Sequence, residues 1–184
     1  MMKNLNFYAM LAILFLGACS GNRYEPQIKS LDSLVNEVNI SKDLLLQVDS
    51  VKAAENFNII IRHVKHIEKN FPTDKITTED FELVNSFRAF RKKFNEFPIK
   101  KLQLLREMAY TKTQCNQLQL ALKEGKFNKD EAIKYYDLES LSASNLNFFT
   151  REIVNEVNAA NVYMDTFLIK INNFYERYQM EKPE

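Results

Sequence analysis

The chain has 184 residues, 46% of them hydrophobic and 27% charged, with a formal net charge of +1. That share of apolar side chains can build a packed core, which excludes global disorder, and a charge near zero argues against bulk nucleic-acid binding. Three glycines and four prolines are too few for the many turns of a sheet-rich fold, so the composition points to an all-α protein with long helices.

Residues 5–18 are apolar apart from Asn6, follow a single positive charge at Lys3, and close on the small residues Gly17 and Ala18. The run is shorter than the ~20 residues a helix needs to cross a bilayer. A basic start, a short apolar core and a small-residue end read as a secretory signal peptide over residues 1–18. Leu16-Gly17-Ala18-Cys19 resembles the lipobox of bacterial lipoproteins at all four positions, and the resemblance covers the first 19 residues only. It implies a diacylglyceryl group on the Cys19 thiol, cleavage just before Cys19 and acylation of the new amino end. One acyl chain holds a protein only marginally, at about 0.8 kcal/mol per buried CH₂, whereas two or three anchor it stably. Ser20 stands where, in that family, an aspartate is associated with inner-membrane retention, and no acid precedes Glu25. The resemblance therefore implies an outer-membrane lipid anchor with the domain facing the periplasm.

The remaining chain, about 165 residues, suits a lipidated linker over 19–26 and one domain over 27–184. Ile28, Leu31, Val35 and Val38, then Leu45 and Val48, then Phe57, Ile60, Val64, Ile67 and Phe71 mark one face of a helix from Gln27 to Phe71, softest over Ala53–Asn58. Pro72 ends it, and a connection over 72–77 leads to Thr77 and Asp80, which resemble a capping box. Phe81, Val84, Phe87, Phe90 and Phe94 open the next helix. Pro98 kinks it, and the pattern resumes from Leu102 to Leu122, with Gly125 placed for a left-handed cap. Asn128 and Glu131 then start a last helix, about 129–180. Its stripe runs through Leu146, Phe149, Ile153, Val157, Ala160, Met164, Phe167, Ile171, Phe174 and Tyr178.

Three helices of matched length with two short connections predict an elongated, antiparallel, coiled-coil-like three-helix bundle kinked at Pro98. The alternative is a four-helix bundle with a true turn at Phe97-Pro98. In the elongated form the Gly125 connection returns to the lipid-bearing end and the 72–77 connection lies far from it.

Few residue sets suggest chemistry. His63 and His66 are the only histidines and are flanked by Arg62, Lys65 and Lys69, which repel a cation; the expectation is a surface pair and no metal. No G-x-S-x-G occurs, three glycines cannot build phosphate-cradling loops, and Glu152 with Glu156 reads as a solvated face, so neither an enzyme nor a cofactor is expected. Cys115 fits the core stripe Leu104, Met108, Thr111, Cys115, Leu118, Leu122. Asp32-Ser33-Leu34 and Asp49-Ser50-Val51 resemble a three-residue O-glycosylation sequon of some Gram-negative lineages.

The most suggestive stretch is FRAFRKKFNEFPIKK, residues 87–101. It interleaves four phenylalanines with Arg88, Arg91, Lys92, Lys93, Lys100 and Lys101, and Glu96 is its only acid. Such a helix can present a basic face to an acidic protein or polymer. The expected function is a lipid-anchored, non-enzymatic interaction or scaffold module of the bacterial envelope. The partners expected are the membrane, through Cys19, and an envelope protein or acidic polymer, with no nucleic acid. A chaperone-like carrier of an apolar client is the alternative. Long apolar stripes also suit a homo-oligomer, because intramolecular and intermolecular bundles read alike.

Overall fold

A computed structural model describes residues 23–70 and 76–183, and every regular element among them is a helix. The signal peptide, Cys19 and most of the 72–77 connection lie outside the described residues. The helices are α1 (Glu25–Leu46), α2 (Ser50–Asn70), α3 (Thr78–Lys123) and α4 (Lys129–Arg177). None among the described residues is long and apolar enough to cross a membrane.

The all-α expectation holds, but the described residues form four helices, not three. The expected single helix from Gln27 to Phe71 is divided at Gln47–Asp49, and the cause is a cap. Asp49 Oδ1 accepts hydrogen bonds from the backbone N–H groups of Val51 (3.0 Å) and Lys52 (2.9 Å), which starts α2 afresh. Gln47 closes α1 on the Asp43 carbonyl at 3.1 Å, and Val48 in the gap is buried. Over Ala53–Asn58, the expected soft point, α2 runs unbroken and buries Ala53 and Asn56.

Four helices match the alternative in number, although the division does not fall at Pro98, which lies inside the continuous α3. Proline there forfeits a hydrogen bond to the Phe94 carbonyl and crowds the preceding turn, at a cost of about 3 kcal/mol or more. Burial of Phe87, Phe94 and Phe97 on the same stretch offsets it, since each such side chain contributes roughly 1.5–3 kcal/mol.

Polar cross-links fix the directions of the helices. Gln119 Nε2 donates to the Ile28 carbonyl (3.0 Å), Lys112 to Asn39 (3.2 Å), Lys101 to Ser50 (2.8 Å) and Arg88 to Glu68 (3.0 Å). Positions fall along α3 as they rise through α1 and then α2, so α3 runs antiparallel to both in succession. In α4 the numbers rise together with those of α1 and α2: Tyr24 donates to the Phe127 carbonyl (2.7 Å), and Asn56 to Asn161 (2.7 Å). α1 and α2 each pack on α3 and α4 but not on one another. The core between them includes Leu31, Leu45, Ile60, Ile67, Phe87, Met108, Leu122 and Phe174, all buried.

The expected helix ends are present. Thr77 Oγ1 accepts from the Asp80 N–H, and Asn128 forms a reciprocal capping box with Glu131. Gly125, at φ +66°, ends α3 with bonds from its own N–H to the Leu122 carbonyl (3.2 Å) and from the Lys126 N–H to the Ala121 carbonyl (3.0 Å), the double closure that a left-handed residue permits.

The stripe Leu104, Met108, Thr111, Cys115, Leu118, Leu122 is buried throughout. The α4 stripe holds except at Phe149, which is 48% exposed, while Thr150 takes the inward place beyond the serine-rich turn. The Thr150 hydroxyl is buried with no hydrogen-bond partner among the described residues. Thr150→Val, which keeps the shape and removes the stranded hydroxyl, is expected to raise stability by about 1 kcal/mol in urea unfolding.

Candidate functional site

The six basic residues singled out between 88 and 101 do not form one surface. Lys93 reaches across to Glu156 of α4 (3.2 Å), Lys100 pairs with Glu96 one turn back (2.9 Å), and Lys101 donates to Ser50 with its ammonium 5.4 Å from the centre of the Phe97 ring. These three serve the bundle itself. Arg88, Arg91 and Lys92 gather instead along a groove between α2 and α3, with Phe57 and Ile61 of α2 opposite them.

The groove has a volume of about 620 Å³. Phe57 and Ile61 are partly buried and make an apolar floor, while Asn85 and Asn95 add amide groups to the rim. Arg88 is held in place by Glu68 (3.0 Å) and Asn85 (3.3 Å), and Lys92 lies 3.8 Å from Glu96. Arg91 is exposed and makes no ion pair or hydrogen bond among the described residues. An unpaired guanidinium beside an apolar floor can take a carboxylate or phosphate bidentately while the floor covers aliphatic or aromatic surface. Phe57 and Ile61 were legible only as members or neighbours of the core stripe; their spacing of four beside Ile60 is the one signal that they share a groove edge.

The groove on the other side of α3, towards α4, has the opposite character. Two adjoining pockets that share Phe149 lie there, one lined by Glu107, Glu139 and Tyr110 and the other by Glu152, Glu156 and the cation Lys100; Tyr110 and Phe149 are 63% and 48% exposed. α3 thus separates a basic groove from an acidic one.

No protein-family model, no curated protein and no solved structure matches this chain. No relative therefore informs the functional reading.

His63 corrects an expectation. It is half-buried rather than a plain surface residue: its ring stacks on Tyr175 of α4 (5.6 Å between centres), meets Phe87 of α3 edge-on (5.9 Å), and Nδ1 shares a 2.8 Å hydrogen bond with the Tyr175 hydroxyl. Burial first, then the charge of Arg62 and the neighbouring His66, push its pKa down to about 4, so the ring is neutral at pH 7. His66 lies beside Asn70 and meets the Tyr175 ring edge-on at 5.6 Å. Among the described residues no three His, Cys, Asp or Glu side chains converge as a metal ion requires.

Cys115 is fully buried in the core, and burial with the nearby Glu139 charge pushes its thiol up to about 11, away from the reactive thiolate. Of the two sequon-like triplets, Asp49-Ser50-Val51 forms the start of α2, and Ser50 accepts the hydrogen bond from Lys101. Asp32-Ser33-Leu34 lies within α1, where Asp32 accepts from Gln119 at 2.6 Å and Ser33 is exposed.

Proposed function

We propose that this chain is a lipid-anchored, non-enzymatic interaction module of the bacterial envelope that docks an acidic protein or polymer in the groove between α2 and α3. The observation that carries the reading is the four-position lipobox ending at Cys19. The tether supports an outer-membrane, periplasm-facing location. α1 begins at Glu25, six residues past Cys19, so its start lies within roughly 21 Å of the leaflet at ~3.5 Å per residue, with the α3–α4 connection beside it through Tyr24 and Phe127. α1 and α2, end to end, serve as one arm of an elongated up-down-up module that carries the groove away from that end. Arg91, exposed and unpaired beside Phe57 and Ile61, supports an acidic partner.

Crosslinking in intact cells tests the docking half of the proposal. Recovery of the partner is expected to fall about tenfold when Arg91→Glu and Lys92→Glu are combined in the full-length chain. Undiminished recovery would remove the groove from the account. A second reading, a carrier for an apolar client, is favoured by the exposed Tyr110 and Phe149 beside the α3–α4 groove. In that case an apolar-surface dye binds the folded chain and Phe149→Ser reduces its fluorescence; no dye binding counts against a carrier.

A further inference from the structure

Besides its buried stripe, α4 carries a second set of positions at steps of four and three: Ile133, Asp137, Leu141, Ser144, Phe148 and Arg151, all exposed. Leu141 and Phe148 are 60% and 63% exposed, and neighbouring exposed apolar side chains of this size mark interaction surfaces. Among the described residues no helix covers this face, because α3 and the α1–α2 arm occupy the other sides of α4.

The order of residues on the face is close to a mirror about Ser144. Asp137 stands two turns before it and Arg151 two turns after, each roughly 10 Å away. Leu141 and Phe148 stand one turn either side, at nearly matching distances. Asp137 makes no ion pair among the described residues, and Arg151 holds only Asn147, at 2.6 Å.

We propose that a second copy of this chain docks on this face, antiparallel about a two-fold axis at Ser144. The small side chain at the axis lets the helices approach closely. Leu141 of each copy then meets Phe148 of the other, and Asp137 of each copy meets Arg151 of the other. The two ion pairs flank the apolar contacts. A parallel pairing would set Asp137 on Asp137 and Arg151 on Arg151, and this repulsion selects the antiparallel arrangement. A hydrocarbon surface would leave Asp137 buried and unpaired within the apolar run. An unrelated protein would need the same pattern in reverse, which a second copy supplies by symmetry.

The test uses the full-length chain purified in detergent. The expected result is a dimer whose dissociation constant rises about tenfold or more in Asp137→Arg and in Arg151→Asp, and returns towards the starting value when both are combined. Ser144→Cys is expected to oxidise to a disulfide-linked dimer, because an axial residue faces its own copy. Val162→Cys, roughly 27 Å along the helix from the axis, is expected to give none. A monomer up to about 100 µM would overturn the proposal. So would a dimer indifferent to both charge reversals, or equal crosslinking at the two cysteine positions.

Discussion

Asp80→Ala is expected to cost about 3 kcal/mol of folding stability, with a matching fall in the urea midpoint. Asp80 is the one buried carboxylate among the described residues. Its oxygens accept hydrogen bonds from Thr77 (2.9 Å), from Tyr178 (2.8 Å) and from the Arg177 guanidinium, which join the first turn of α3 to the end of α4. Alanine would remove all three bonds, at about 1 kcal/mol each, although the exposed Thr77 and Arg177 and the partly exposed Tyr178 can turn to water. The loss falls short of the full effect of breaking a buried pair because Arg177 is half-exposed and can turn to water. Burial acts to raise the Asp80 carboxyl, but the hydrogen bonds from Tyr178, Thr77 and Arg177, with the Arg177 charge, outweigh it and hold the group below its ordinary 3.8. A depressed carboxylate stabilises fully above its unfolded value and loses that contribution as pH falls through the folded one, so this term fades only below pH 3.8.

The second large effect lies in a different pH window. The His63 ring titrates near 6.5 in the unfolded chain and at about 4 in the fold. Between those values the unfolded state binds a proton that the folded state refuses, so stability falls as pH drops from 6.5 and the loss levels off near 4. Because the ring is only half-buried, solvent screens part of this difference, and the expected loss is about 1–2 kcal/mol. Phe87, Tyr175, Arg62 and His66 surround the ring and none offers a carboxylate to receive the new charge. His63→Gln, which keeps a partner for the Tyr175 hydroxyl, is expected to flatten the stability profile between pH 6.5 and 4 and leave the acid limb from Asp80 intact. A profile unchanged by the substitution would place the titration elsewhere.

Much of the fold was legible because helix signals are local. Thr77, Gly125, Asn128 and Glu131 marked three of the helix ends, and the stripe from Leu104 to Leu122 marked the inward face of α3. The division at Gln47–Asp49 was not seen. It has neither glycine nor proline, and Asp49, which also fits a modification sequon, is the cap of α2. Pro98 falls inside a single helix, as the kinked-rod reading expects, and the alternative turn at Phe97-Pro98 does not occur. Proline is the strongest local breaker, yet the phenylalanines around it hold the helix continuous through contacts that no local window contains. The basic stretch shows the same limit. Net charge along 88–101 was visible in the sequence, but whether each cation meets Glu156, Glu96, Ser50 or solvent depends on what packs beside α3. His63 was read from its charged neighbours in the chain, and the aromatic ring that buries it lies on another helix.

The tether is the centre of the account, and its most direct test is the intact mass and membrane partition of the natively expressed protein beside Cys19→Ala. The account predicts a chain that begins at Cys19, carries the mass of two or three acyl chains and sediments with membranes, and a variant that loses both the added mass and the membrane. An unmodified chain that retains Met1 would contradict it.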